Sequence, residues 1–502
     1  MHRWMIRTAS RVSPPRSRPA TLSLSAALEA LSSGQPVRPV GCFRAHDIRG
    51  RVHHELTLAD ARALGLAVAA VLRPGRVAVG RDARLSSPDL MAALSDGLAS
   101  AGVEVCELGL CGTEEVAFAA DLLDAGAGLM VTGSRAPGDC NGFKLIGPNG
   151  RPLSTDEFRA IEARTAARSG APAGIARGTI RPVDTRAPYV ELVRSFSRGT
   201  IRRPLKVVVN AGNGAAGPTF DAILRRLPGG GPFLRVVRMN HAPDGAFPNG
   251  PPDPLRPETL EATGARVRAE TADLGIAWDG DFDRCVFFDE TGRPVPGEYV
   301  VSLLARCLLR RERGGRVVHD PRTAWMIRDV VTGEGGTAVS SRTGYRNIKR
   351  RIRETEALYG GEMSGRHAFR DFMCCTSGMI PPLLMFDLLA TQQRTLGDLV
   401  AELRAAHPSS GELSFPVADA ASVLAAIESD YAATAVRRSG LDGLALEFAD
   451  WRFNLRAAPT GTSLHLTVET RSRPDLLEAR TAELSARIEV VSRGPALAQG
   501  RW

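Results

Sequence analysis

Apolar residues recur along this chain in short runs separated by longer amphipathic stretches. RVAVG at 76–80 reads as a buried strand, and the segment after it reads as a helix over about 87–101. VEVCELG and AGLMVTG follow as strands. The pattern then repeats. LKVVVNAGNGAAG (205–217) is a strand entering a glycine-rich turn and then the helix PTFDAILRRL, and ADLGIAWDGDFDRCVFFD (272–289) is strand, loop, strand. A third round has strands at GRVVHD and TAVSSRTG with a helix between them, then LYGGEMSGRHAFRDF (358–372), read as one strand ending in a polar loop, and the helix IPPLLMFDLLATQQ. Strands alternating with helices predict doubly wound, mostly parallel sheets. Beyond about residue 409 the character changes to antiparallel strands and a last helix at LLEARTAELSARIEVV.

With 502 residues the chain is too long for one core and predicts three to four domains. No apolar run approaches the roughly 20 residues needed to span a bilayer. The eight cysteines form no CxxC pair and no zinc spacing, which fits buried thiols in a reducing, cytoplasmic compartment. The formal net charge is +9, and much of the excess lies in residues 1–40, where six arginines face only Glu29. That segment is read as a disordered basic leader; its composition also resembles a transit peptide, but it lacks an amphipathic run. No basic patch is interleaved with aromatics, so nucleic acid is not an expected partner, while a mildly basic body suits an anionic small substrate.

Candidate chemistry concentrates in two loops. Ser134 sits in VTGSRAPGDCNGFKL, at the carboxyl end of a strand, where doubly wound sheets bind ligands. Asp279, Asp281 and Asp283 alternate in DGDFDR; in an extended loop they project to one side and would repel unless a hard cation such as Mg2+ neutralised them. Arg284 adds a fork for phosphate. Only three lysines occur, Lys144, Lys206 and Lys349, and two of these fall near candidate motifs. GNGAAG lacks the Lys-Ser/Thr end of a P-loop and is read as a tight strand-to-helix turn. GEMSG places Glu362 and Ser364 on one side of a short extended loop, suited to sugar hydroxyls. The Arg/Asp loops at 43–50 and 80–84 are compatible with salt-bridged structure, and Arg452 and Arg456 with phosphate binding or acid pairing.

Taken in order, FRAHDIRG, VGRDARLSSP, GTEE, TGSRAPGDCNGFK, GNGAAGP, PDGAFPNG, DLGIAWDGDFDRC, HDPR, RTGYRNIK, YGGEMSGRHAFRDF, SGMIP and DWRFNLRA resemble the α-D-phosphohexomutases, and within them bacterial phosphomannomutases, across about residues 41–490. The resemblance implies a four-domain architecture: three related α/β domains with mixed, mostly parallel sheets (41–185, 186–290 and 291–408) and a C-terminal α+β domain (409–502). It implies that Ser134 is the phosphoserine and joins Asp279, Asp281 and Asp283 as Mg2+ ligands. Arg49, Lys144 and Arg284 would serve the transferring phosphoryl group or the proton steps. Glu362, Ser364, His367 and Lys349 would bind the sugar, and Arg456 and Thr460 the distal phosphate. The implied reaction interconverts mannose 1-phosphate and mannose 6-phosphate, with glucose phosphates as further substrates, through a hexose 1,6-bisphosphate that also acts as activator. A monomer or weak dimer is expected.

The chain departs from the family pattern in several places. Ser-His-Asn-Pro becomes Ser134-Arg135-Ala136-Pro137, Thr-Gly-His becomes Thr343-Gly344-Tyr345, and the first histidine after GEMSG becomes Arg366. The aspartate before Ser-Gly-Met-Ile becomes Thr376, and Arg-x-Ser-Asn-Thr becomes Arg456-Ala457-Ala458-Pro459-Thr460. Loss of a general acid/base costs about 10²–10⁴-fold in rate. A second reading follows: a catalytically weak or inactive paralogue that binds sugar phosphates or a protein partner. A third is a mutase for another phosphosugar.

Overall fold

A computed structural model describes residues 41–493, except 45–46, 169, 200–202, 228–232, 393 and 459–460. The leader at 1–40 and the expected distal phosphate ligand Thr460 therefore lie outside the described residues. The first sheet contains β1 (Ile48–Arg51), β2 (Arg76–Arg81), β3 (Glu104–Leu110), β4 (Ala127–Val131), β5 (Cys140–Ile146) and β6 (Ile180–Pro182), in the order β1-β5-β4-β2-β3-β6. The second contains β7 (Leu205–Asn210), β8 (Leu234–Met239), β9 (Leu274–Trp278) and β10 (Cys285–Phe288), ordered β10-β9-β7-β8. The third contains β11 (Arg316–His319), β12 (Thr337–Ser340), β13 (Tyr359–Gly361), β14 (His367–Phe369) and β15 (Cys375–Thr376), ordered β12-β11-β13-β14-β15.

These three sheets share one kernel. A leading strand (β2, β7 or β11) pairs parallel with a neighbour on each side, and one of those neighbours turns back into an antiparallel strand. The turning pairs are β4–β5, β9–β10 and β13–β14. The repetition expected from the hydrophobic pattern is thus a repetition of topology. Each reversal carries a candidate loop: Ser134 between β4 and β5, the aspartates between β9 and β10, and Glu362–Arg366 between β13 and β14. The expectation of a single strand through 358–372 is corrected, because the polar loop is the bend of a hairpin whose second arm is β14.

The leading strands are Val-rich and buried on both faces, as sheets covered by helices require. One apolar cluster runs through all three units, from Phe118 and Tyr189 through Phe220, Trp278 and Phe282 to Tyr359 and Phe372. The loops are therefore held over a common core.

The fourth sheet is antiparallel throughout: β16 (Leu413–Pro416), β17 (Arg437–Ser439), β18 (Leu444–Glu447), β19 (Trp451–Ala457) and β20 (Ser463–Thr470), ordered β16-β20-β19-β18-β17. It has its own core, closed by the helix Pro474–Ser492. Arg452 fastens it to the third unit by donating to the Pro321 carbonyl at 2.6 Å and pairing with Glu469, so this arginine is structural. Thr343 N donates to Asp442 at 2.9 Å, and Trp325 Nε1 to Glu447 at 2.9 Å. None of the described helices is long and apolar enough to cross a membrane.

Candidate active site

The serine loop is fixed from behind by Arg84. This guanidinium is fully buried and donates to the carbonyls of Ser134 (3.0 Å), Ala136 (2.7 Å), Pro137 (2.5 Å) and Cys140 (2.8 Å). Asp82 neutralises it at 3.1 Å and also accepts from Thr132 Oγ1 (2.8 Å) and Gly133 N (3.1 Å). The Arg/Asp motif at 80–84 is thus salt-bridged structure, and its work is to hold this loop. Ser134 adopts a left-handed backbone (φ 49), and its amide donates to Thr132 Oγ1 at 2.8 Å. A non-glycine residue keeps such a conformation only where its surroundings over-determine it.

The aspartate loop meets the serine loop at close range. Ser134 Oγ donates to Asp279 Oδ2 at 3.0 Å. Gly280 permits this approach, since a Cβ there would lie 2.7 Å from the Ser134 carbonyl oxygen. The expected convergence of the three carboxylates occurs, with one ligand atom of each inside a sphere of contacts no wider than 4.8 Å. The route differs from the expected extended loop. Phe282 N bonds Asp279 O at 2.9 Å, and Phe282 is left-handed (φ 43), so the chain makes a turn. Burial of the Phe282 ring against Gly112 drives that turn. The GNGAAG segment is the expected strand-to-helix turn, and it backs this loop: Ala215 N donates to Gly280 O at 3.0 Å.

Lys144, on β5, reaches across to Asp281 Oδ2 (2.5 Å) and Asp283 Oδ2 (2.7 Å). Arg284 Nη1 lies 2.8 Å from Asp279 Oδ2 and 3.5 Å from Ser134 Oγ. Thr113, at the start of the helix Thr113–Leu122, donates to Asp281 through its hydroxyl. The GTEE motif by itself assigns Thr113 no role, because its partner lies 168 positions away and no local spacing shows it.

Burial and the neighbouring Asp283 and Asp281 charges push the Asp279 carboxyl up to about 7. Burial acts on Asp283 in the same direction, yet Arg366, Lys144 and Arg284 together hold it well below the usual carboxylate range. Burial opposes the Lys144 charge, and Asp281 and Asp283 override it, keeping the ammonium above its ordinary pKa. Asp281 Oδ1 and Asp283 Oδ1 are buried without a hydrogen-bond partner among the described residues. Buried anionic oxygens with free lone pairs, all of them hard donors, fit a divalent cation.

The remaining expected residues divide. Lys349 is buried on the helix Tyr345–Thr355 and lines a small cleft with Thr113, Lys144, Asp283 and Tyr345. Arg49 lies on β1, opposite Gly142 of the strand that carries Lys144, and pairs with Asp47 at 2.8 Å. Glu362 is buried and accepts from Gly344 N at 2.6 Å. Ser364 lies in the reverse turn closed by Gly365 N and Glu362 O at 3.1 Å, not in an extended loop. Arg456 pairs with Glu412 at 2.8 Å, and Arg322 pairs with the same carboxylate at 3.0 Å.

His367 is a correction. Arg366 reaches the aspartate loop, and strand alternation sends its neighbour to the other face of β14. His367 is 1% exposed, bonds the Tyr359 hydroxyl at 2.6 Å, and burial pushes its imidazole down to about 3. It is a neutral core histidine.

Sequence models of the phosphoglucomutase/phosphomannomutase α/β/α domains I, II and III match residues 41–171, 187–292 and 296–406. The chain is 46% identical to a phosphohexose mutase of Xanthomonas campestris pv. campestris, over 88% of this chain and 98% of the relative. It is 44% identical to a phosphomannomutase of Salmonella montevideo, over 88% and 98% respectively. A solved phosphoglucomutase/phosphomannomutase family protein from Burkholderia thailandensis superposes with TM-score 0.80 at 30% identity, covering 91% of this chain and 98% of the other.

Proposed function

The chain belongs to the phosphoglucomutase/phosphomannomutase family and is a phosphohexomutase, and from that premise we propose that it interconverts mannose 1-phosphate and mannose 6-phosphate. The observation that carries the reading is the meeting of Ser134 Oγ with the aspartate loop, flanked by Arg284 and Lys144. A phosphoryl group on Ser134 would pass to a hydroxyl of the bound hexose monophosphate, giving a 1,6-bisphosphate and the free serine. After the bisphosphate turns over in the cleft, its other phosphoryl group returns to Ser134 Oγ and the isomeric monophosphate leaves.

Asp279, Asp281 and Asp283, with Ser134, would hold Mg2+, which when bound neutralises charge on the phosphoryl oxygens. Arg284 orients the phosphoryl group at Ser134. Lys144, fixed between Asp281 and Asp283, supplies positive charge to the phosphoryl group, and its ammonium would give a proton to the departing Ser134 oxygen as the acceptor hydroxyl loses its own. Glu362 and Ser364 receive sugar hydroxyls, and Arg49, Lys349 and Arg456 supply positive charge around the cleft. A hexose 1,6-bisphosphate would prime the serine. The eight free cysteines support a reducing, cytoplasmic setting. One chain supplies all these groups, so the reading needs nothing beyond a monomer or a weak dimer.

The test is conversion of mannose 1-phosphate with Mg2+ and a hexose 1,6-bisphosphate. Turnover lost in Ser134→Ala supports the phosphoserine. Full activity in that variant rejects it. Turnover confined to glucose or glucosamine phosphates reassigns the sugar.

A further inference from the structure

Two of the chain's departures from the family pattern touch each other. The guanidinium carbon of Arg366 lies 4.9 Å over the ring of Tyr345. Arg366 comes from the β13–β14 bend, and Tyr345 opens the helix Tyr345–Thr355, so two separate segments of the third unit build this contact. Arg366 Nη2 also reaches Asp283 Oδ2 at 3.2 Å. Its Nε is buried and has no hydrogen-bond acceptor among the described residues. Arg135, a third departure, lies within electrostatic reach of both Arg284 and Arg366 and pairs with Asp253 at 3.8 Å.

We propose that Arg366 binds a phosphomonoester held beside Ser134, with Tyr345 as the residue that positions its guanidinium. The ring fixes the guanidinium plane and occupies one of its faces, leaving the N–H edge for hydrogen bonding. One part of that edge holds Asp283, and Nε–H is left to donate to a phosphoryl oxygen. A buried N–H without an acceptor is unfavourable, and an anionic phosphate oxygen is its strongest natural acceptor. A guanidinium does not release a proton near neutral pH, so Arg366 binds and orients rather than shuttling protons. The pair therefore shifts this position from acid/base work to fixed anion recognition. The inference rests on the phosphohexomutase reading for the identity of the ligand.

The experiment measures KM and kcat for mannose 1-phosphate, and calorimetric binding of a hexose 1,6-bisphosphate with Mg2+, in wild type, Arg366→Met, Arg366→Lys, Tyr345→Phe and Tyr345→Ala. Circular dichroism and thermal unfolding establish that each variant is folded. Arg366→Met is expected to weaken bisphosphate binding by about 10- to 100-fold, with KM rising more than kcat falls. Arg366→Lys should recover part of that affinity, because charge returns without the planar fork. Tyr345→Phe should match wild type, while Tyr345→Ala should raise KM a few-fold. A folded Arg366→Met with wild-type KM and bisphosphate affinity overturns the proposal, and wild-type values for Tyr345→Ala overturn the brace. Wild type that binds the bisphosphate through Arg366 but turns over no hexose phosphate separates the outcomes: the mutase reading falls and this one stands. Wild type that binds no bisphosphate overturns both.

Discussion

The serine loop and the Glu362–Arg366 loop occupy equivalent places in two copies of one topology, yet they are supported in opposite ways. Behind the serine loop lies a fully buried arginine that bonds four of its carbonyls, with a carboxylate neutralising the arginine. Behind the other loop lies a cavity of about 440 Å³, lined in part by Met363, Gly365 and Glu298. Glu298 is 2% exposed, and burial pushes its carboxyl up to about 7. The serine loop is thus held in one geometry by satisfied hydrogen bonds, whereas the Glu362–Arg366 loop, fixed at its Arg366 end, has space behind Met363 and Gly365. The same contrast separates the aspartates, which are buried and gripped by Lys144, Arg284 and Thr113, from Arg456, whose partner Glu412 is a half-buried carboxylate that it shares with Arg322. Chemistry that transfers a phosphoryl group needs a fixed reacting centre, whereas recognition of a substrate that turns over in the cleft tolerates adjustable contacts.

Substitutions on the fixed side should cost most. Asp281→Asn removes a buried charge shared by Lys144 and Thr113, and turnover should fall by roughly 10³-fold together with its stimulation by Mg2+. A variant still stimulated as wild type is would remove Asp281 from the metal site. Arg84→Met leaves Asp82 without its counter-ion and takes a donor from each of four loop carbonyls, so stability should drop by about 3–5 kcal/mol in denaturant unfolding. A drop below about 1 kcal/mol would mean that the two loops are not supported differently.

The adjustable side predicts smaller effects. Glu298 has an ordinary pKa of 4.5, raised in the fold to about 7, so between these values the folded chain keeps a proton that the unfolded chain has released. Its contribution is complete below about pH 4.5 and is lost as pH rises through about 7, a swing on the order of 3 kcal/mol that Glu298→Gln should abolish. Identical pH–stability curves for wild type and variant would refute the raised pKa of this buried carboxyl. Smallest of all, Glu412→Gln removes a carboxylate that competes for Arg456, and KM for a hexose phosphate should fall about 2- to 5-fold. An unchanged KM would show that Arg456 does not receive phosphate.

Much of this molecule was legible before any contact was known. Hydrophobic periodicity located the leading strands β2, β7 and β11 because buried strands between helices must be apolar on both faces, whereas β1, β5, β6 and β8 carry no such run and were not legible in it. The same pattern placed Ser134 and the aspartates at strand ends. It misjudged the paths of the loops. The DGDFDR segment converges through a turn that a buried Phe282 pins against Gly112, and residues 362–366 are the bend of a hairpin. Both outcomes depend on packing with distant elements.

Alone, the sequence determined the α/β architecture, the phosphohexomutase family and the collinear loops, because these follow from periodicity and from motifs contiguous in the chain. Only the tertiary structure decided which groups meet. Thr113 joins Asp281, Arg84 stands behind Ser134, Arg366 stacks on Tyr345, and His367 faces inward. The reason is physical: a side chain's partner is set by which face of its strand or helix is buried and by what that core brings alongside, and neither is a local property of the chain.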